Sequence, residues 1–174
     1  MLGLPYPGGP EVEKLALNYS NDRKDSLVVF PKPMLHSGDY DFSFSGLKTA
    51  VLYYLRDHVG QRLKVEGRMQ SLVCASFQQA AIDVLVAKTM RAAEEFKAKS
   101  ILLCGGVAAN KALQKEFKKR VKNLEPITQK LEPKFYVPEL QHNTDNAVMI
   151  AAAVYINHFQ NESYPIEANG NLGL

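Results

Sequence analysis

The sequence contains few of the residues that build disulfide frameworks or zinc sites. Only two of its 174 residues are cysteines, Cys74 and Cys104, and both stand in apolar runs. No zinc-binding cysteine spacing is present, and the four histidines form neither an H-x-x-x-H nor an H-E-x-x-H pattern. These absences argue against a disulfide-stabilised secreted domain and against a zinc peptidase, and they favour a reducing compartment.

Long apolar runs and a strong net charge are also missing. The longest apolar stretch, 147–156, is too short to span a bilayer, and the first residues lack the basic and apolar regions of a signal peptide. Lys and Arg exceed Asp and Glu by 21 to 18, a net charge of +3 that permits a polyanionic partner without requiring one. We therefore expect a cytoplasmic protein with no membrane contact. The chain is long enough for one domain with a substantial core.

Hydrophobic periodicity predicts an α/β fold. The order strand, glycine turn, helix, strand indicates at least one parallel crossover, with residues 31–98 as a helical layer against that sheet. The first ten residues are expected to be a loop, and the tail after 165 is expected to be irregular. Helices are expected over 11–19, 45–60, 70–97, from about 108 and from 145, and strands over 26–30, 100–104 and 135–137.

Two glycine-bearing turns are candidate nucleotide-binding segments. In C-G-G-V-A-A-N, Gly105 and Gly106 follow a predicted strand and would point backbone N–H groups at an anion, with Asn110 beside them. In P-G-G-P, Gly8 and Gly9 leave the backbone bare, and Glu13 follows with a carboxylate able to bind a ribose diol. The alternatives are a plain strand-to-helix turn and a rigid connector with a solvated glutamate.

Three further segments each allow a structural or a functional interpretation. Asp145, in T-D-N-A-V-M-I-A, could serve a metal or a reacting phosphate, or offset a helix dipole behind a Thr144 cap. D-F-S-F-S-G-L-K-T could bring Ser43, Ser45 and Lys48 to a phosphate, or supply core phenylalanines and a Ser45 cap. Six basic side chains over 111–122 could contact nucleic-acid phosphates or form a solvated helix face.

Four motifs together carry a family resemblance. G-L-P-Y-P-G-G-P, D-F-S-F-S-G-L-K-T-A-V, G-G-V-A-A-N and T-D-N-A-V-M-I-A stand in the order and spacing of the TsaD/Gcp family of tRNA threonylcarbamoyltransferases. The resemblance implies an actin-like (ASKHA, ribonuclease H-like) lobe with added helices. It also implies t6A biosynthesis, the transfer of a threonylcarbamoyl group from threonylcarbamoyl-AMP to N6 of the adenosine beside the tRNA anticodon.

The resemblance also implies roles for particular residues. Asp145 would be the catalytic residue and a ligand of one divalent metal ion, iron or alternatively zinc. The remaining metal ligands, two histidines, would come from an N-terminal lobe that this chain lacks. The nucleotide contacts implied by the family are Gly9, Glu13 and Asn110, to which the two turns add Gly8, Gly105 and Gly106.

We therefore expect residues 1–174 to be a single C-terminal lobe of a two-lobe enzyme, inactive alone. Its expected partners are tRNA, threonylcarbamoyl-AMP and the missing N-terminal lobe. Bacterial-type systems would add a smaller ASKHA paralogue and an ATPase, whereas archaeal and eukaryotic systems would add a kinase-containing complex. The alternatives are a non-catalytic nucleotide-binding or assembly module and another ASKHA-fold kinase.

Overall fold

The chain forms two compact units, Met1–Val137 and Pro138–Leu174. The structure, a computed structural model, describes residues 2–22, 27–59, 66–123, 133–143 and 146–160. Two short 3-10 turns, Gly106–Ala109 and Leu140–His142, accompany the longer elements. The first unit contains α1 (Gly8–Asp22), α2 (Ser45–Val59), α3 (Gly67–Glu95), β1 (Ser100–Leu102), α4 (Lys111–Val121) and β2 (Lys134–Tyr136), and the second contains α5 (Ala147–Phe159).

The first unit is built around α3, whose two halves serve different clusters. Its amino-terminal half packs with α2 and with Phe30, and its carboxy-terminal half packs with α4 and β1. α1 lies against the same helix through Ala16 and Tyr19, which contact Ala75. By length and composition alone α3 could cross a membrane. Its apolar faces are instead covered by these neighbours, as expected of a core helix.

The predicted parallel crossover is confirmed. β1 and β2 pair in parallel, with Ser100 opposite Lys134 and Leu102 opposite Tyr136, and α4 lies on the connection between them. Phe135 of β2 stacks on Phe117 of α4 with ring centroids 5.6 Å apart, so the helix is fixed on the sheet by aromatic packing. The mixed helix and strand class is therefore confirmed, and within the described residues the sheet has two strands.

The predicted strand over 26–30 is wrong for its described part, residues 27–30, which form no strand. The prediction rested on the apolar, β-branched character of this segment, in which Val28 is partly buried, Val29 is 93% exposed and Phe30 is 5% exposed. The buried side faces α3 rather than a neighbouring strand. The Val28 N–H accordingly donates to the Ser76 hydroxyl of α3 at 2.9 Å and needs no strand partner.

Four helix starts differ from the prediction, and α3 begins at Gly67 rather than at 70. α1 begins at Gly8, so the expected loop is shorter, and Pro10 is accommodated in the first turn because N–H groups there need no intrahelical partner. A 3-10 turn precedes α4, which begins at Lys111 rather than near 108. The cap of α5 is Asn146, whose side chain accepts from Met149 N at 3.0 Å. The predicted Thr144 cap is therefore wrong, and Thr144 itself lies outside the described residues.

Candidate nucleotide site

The Glu13 carboxylate meets the amino terminus of α4, although the two are 98 residues apart in sequence. Its Oε1 atom accepts a hydrogen bond from the backbone N–H of Lys111 at 2.6 Å. N–H groups in the first turn of a helix lack intrahelical partners and carry partial positive charge. Glu13 therefore occupies a place that favours an anion. This contact brings two of the predicted nucleotide-binding segments together.

Asn110 is held in one orientation by bonds at both ends of its side chain. Its Oδ1 atom caps α4 by accepting from Leu113 N at 2.8 Å, and its Nδ2 group donates to Gln78 Oε1 at 2.8 Å. Gln78 belongs to α3 and was not predicted as a site residue. The signal that could have revealed it is a glutamine at a partly buried position of an otherwise apolar helix face. The Asn110 side chain thus connects α3 to the amino terminus of α4 through two hydrogen bonds.

The glycines of both turns stand in open space. A Cβ atom added at Gly8, Gly9, Gly105 or Gly106 would meet no atom within 4 Å. Gly105 has a φ of +82°, a left-handed conformation that disfavours other residues. Close packing therefore does not require these glycines, and their backbones are accessible to a ligand. Gly9 lies one helical turn before Glu13 and on the same face of α1, so both can face a single ligand.

The loop before α2 is anchored by a buried lysine of α3. Lys88 is 1% exposed, and its ammonium donates to Ser37 Oγ at 2.8 Å, to Asp39 Oδ1 at 3.1 Å and to the Asp41 carbonyl. The Ser37 hydroxyl, followed by Lys88, holds the pKa of Asp39 below its ordinary value. Lys88 was not predicted; its signal is a lysine on the apolar stripe of α3. The loop therefore has a defined position rather than a solvated course.

The D-F-S-F-S-G-L-K-T segment combines anchoring with exposure. The prediction of core phenylalanines is wrong for Phe42, which is 45% exposed, whereas Phe44 is partly buried against the cluster that contains the fully buried Leu47. Lys48 is exposed. The hydroxyls of Ser43 and Ser45 lie 3.2 Å apart at the start of α2. The predicted Ser45 cap is wrong, because Ser45 is the first residue of the helix itself.

The metal ligand predicted at Asp145 lies outside the described residues. Within the ranges that the structure describes, no group of three or more His, Cys, Asp or Glu side chains is arranged to hold a metal ion. The described residues therefore do not by themselves form the metal site that the family resemblance implies. What the described residues offer is a carboxylate at a helix amino terminus and open glycine backbones, which suit hydrogen bonding to a polar ligand.

The two cysteines occupy contrasting environments. Cys74 is fully buried in α3, and burial raises the pKa of its thiol to about 11. Cys104 is exposed and immediately precedes Gly105. The Cys104 thiol therefore lies next to the glycine turn in the chain, and its alkylation with and without a ligand can be used to test binding there.

Comparisons with known proteins are consistent with this arrangement. A family profile, TsaD, described as tRNA N6-adenosine threonylcarbamoyltransferase, matches residues 1–152. The relative with that name from Thermosipho melanesiensis is 45% identical over 174 residues, covering 100% of this chain and 48% of the relative. The one from Bacillus subtilis is 42% identical over 175 residues, covering 99% of this chain and 46% of the relative.

A third relative with the same name, from Geobacillus thermodenitrificans, is 38% identical over 173 residues, covering 99% of this chain and 46% of the relative. The chain spans about half the length of the curated relatives that it matches. The profile match covers most of the chain, including the two segments that the contact between Glu13 and the Lys111 N–H brings together. The chain belongs to the TsaD family of tRNA N6-adenosine threonylcarbamoyltransferases.

Proposed function

We propose that this chain is the C-terminal half of a tRNA N6-adenosine threonylcarbamoyltransferase and forms one wall of its threonylcarbamoyl-AMP site. The observation that carries the proposal is the contact between Glu13 and the amino terminus of α4. It joins the P-G-G-P segment to the G-G-V-A-A-N segment around a single carboxylate. We also propose that the chain forms an actin-like lobe in which residues 31–98 are the helical layer. We propose further that the protein is cytoplasmic.

The polar groups at this wall match the parts of an adenylate. A carboxylate such as Glu13 accepts hydrogen bonds from the two hydroxyls of a ribose. The phosphate, being negative, would avoid Glu13 and take the open backbone of Gly105 and Gly106 or the first turn of α1 at Gly8 and Gly9. Asn110 bonds to Gln78 of α3 and caps α4, and it thereby helps to hold the amino terminus of α4 where Glu13 contacts it.

Such a wall contributes to the transfer mainly through positioning. The donor is a mixed carbamate–phosphate anhydride, whose leaving group is already activated. What the protein must add is an orientation that brings the carbamoyl carbon to the N6 amine of the adenosine, and orientation alone can supply a large part of a rate enhancement. We propose Asp145 as the ligand that this chain contributes to one divalent ion, iron or alternatively zinc. The other metal ligands would come from the N-terminal half.

The proposed partners are tRNA, threonylcarbamoyl-AMP and the N-terminal half, with a smaller ASKHA paralogue and an ATPase in a bacterial-type system. A transfer assay tests the proposal. The chain is mixed with threonylcarbamoyl-AMP and unmodified tRNA, first alone and then with the N-terminal half of a family member supplied in trans. Nucleoside mass spectrometry measures the modified adenosine. We expect product only with both halves, and loss of product in Asp145→Ala and Glu13→Ala.

A second candidate is a non-catalytic nucleotide-binding or assembly module, since the contact between Glu13 and the amino terminus of α4 would serve binding without turnover equally well. The same experiment separates the two. Protection of Cys104 from alkylation by AMP reports binding independently of turnover. Protection without product in any mixture would establish the binding module instead. Neither protection nor product would refute the proposed nucleotide site altogether.

A further inference from the structure

Four lysines form a continuous stripe along α4. Lys111, Lys115, Lys118 and Lys122 follow one another at intervals of four, three and four residues. At 3.6 residues per turn these positions lie within about 60° of one another around the helix axis. All four side chains are exposed. The buried face of the helix, formed by Leu113, Phe117 and Val121, points away from the stripe. We call this set the lysine stripe.

The lysine stripe carries positive charge that the described part of the chain leaves unneutralised. The one acid of α4, Glu116, lies to the side of the stripe and pairs with Arg120 at 3.1 Å. No stripe lysine forms an ion pair among the described residues. A row of like charges on one helix face raises the local electrostatic potential, which favours a polyanionic partner.

The stripe begins at the candidate nucleotide site. Lys111 donates its backbone N–H to Glu13, and the following three lysines extend from that point along the helix. The stripe runs over about 16 Å at 1.5 Å per residue. That length spans several phosphates, since one nucleic-acid strand carries a charge about every 3.4 Å of helix axis. A strand whose adenosine approaches the donor held at Glu13 would therefore have its flanking backbone beside the stripe.

We propose that the lysine stripe binds the phosphate backbone of the RNA substrate next to the adenosine that receives the group. This inference rests on the proposed function, because that function makes RNA the acceptor. Lysine ammonium groups act as point charges for phosphates and do not read base edges. The stripe therefore supplies affinity and orientation without sequence preference. A membrane surface fits less well, because the apolar face of α4 is buried against α3 and β2 and is not available for insertion.

The test compares two variants of the reconstituted two-half protein, each lacking two positive charges. The stripe variant is Lys115→Gln with Lys118→Gln, and the matched control is Lys32→Gln with Arg56→Gln, two cations that lie outside α4. Fluorescence anisotropy with labelled unmodified tRNA gives the affinity over a series of salt concentrations. Lys111 is left unchanged because its backbone belongs to the nucleotide site.

The expected result follows from counterion release. Each lost phosphate contact lowers the slope of log affinity against log salt by about 0.7 for a single strand, and hence lowers affinity about fivefold at 0.1 M salt. The stripe variant should lose about 1.4 in slope and about 25-fold in affinity, with AMP protection of Cys104 intact. The control should keep the slope of the unmodified protein.

Three results would overturn the proposal. Equal losses of tRNA affinity in both variants would show that net charge alone causes the effect. An unchanged salt slope in the stripe variant would mean that the RNA binds elsewhere. In both of these cases the protection of Cys104 by AMP would leave the proposed nucleotide site standing. Failure of the unmodified protein to bind either tRNA or AMP would instead remove the proposed function together with this inference.

Discussion

Two substitutions of Asn110 test separately its contribution to folding stability and its place in the proposed nucleotide site. Asn110→Ala deletes the side chain that caps α4 and also leaves Gln78 Oε1 without its donor. Loss of an N-cap costs about 1 kcal/mol, and a partly buried acceptor left unpaired costs about 1 kcal/mol more. We therefore expect the free energy of unfolding to fall by about 2 kcal/mol, which for a chain of this size lowers Tm by about 4–8 °C.

Asn110→Asp should have the opposite profile. Aspartate caps a helix about as well as asparagine, and Gln78 can rotate its amide to donate to the new carboxylate, so stability should stay within about 0.5 kcal/mol. The second carboxylate would stand at the end of the G-G-V-A-A-N turn, where the adenylate phosphate is proposed to take the backbone of Gly105 and Gly106. Two unit charges 4 Å apart near a protein surface interact by about 4 kcal/mol. A third of that repulsion weakens nucleotide binding about tenfold.

Urea unfolding followed by circular dichroism measures the first effect, and AMP protection of Cys104 measures the second. Asn123→Ala is the matched control, because Asn123 is exposed just after α4 and its loss should change neither quantity. An unfolding midpoint for Asn110→Ala equal to that of the unmodified protein would refute the capping argument. Undiminished AMP binding by Asn110→Asp would refute the placement of an anion at this turn.

Three other predictions address the first unit. Lys88→Met should lower the free energy of unfolding by about 2 kcal/mol, because three donated hydrogen bonds are lost while the cost of burying an ammonium is relieved. The exposed control Lys48→Met should change the free energy of unfolding by less than about 0.5 kcal/mol. Equal urea midpoints for the two variants would contradict the anchoring of the loop. Maleimide at neutral pH should modify Cys104 in the native protein and Cys74 only after unfolding, since burial raises the Cys74 pKa to about 11. Mass spectrometry that shows both cysteines modified in the native state would disprove the burial of Cys74. The pKa of Asp39 is lowered from 3.8, chiefly by the Ser37 hydroxyl, so its stabilising contribution is complete above that pH and is lost as the pH falls through the lowered folded-state pKa. Asp39→Asn should therefore be less stable than the unmodified protein at neutral pH and should converge with it in acid, and a stability difference independent of pH would exclude this role.

Local patterns in the sequence were sufficient for most of the elements. The helical spacing in α2, α3 and α4, and the strands on either side of α4, depend on residues a few positions apart, which a linear sequence displays directly. The parallel crossover followed from their order. Where a pattern has two physical causes, the prediction failed. The apolar, β-branched residues over 27–30 suit a strand and an extended segment packed on a helix equally well, and only the contact with Ser76 distinguished the two.

The four motifs of the sequence determined the family, and the resemblance implied which residues to propose for the nucleotide wall. Only the tertiary structure decided that Glu13 meets the α4 terminus, that Gln78 orients Asn110 and that Lys88 holds the loop before α2. The partners in these contacts stand 98, 32 and 51 residues apart. Their side chains reach one another because α1, the loop and α4 all pack on α3, and no spacing within the sequence records that packing.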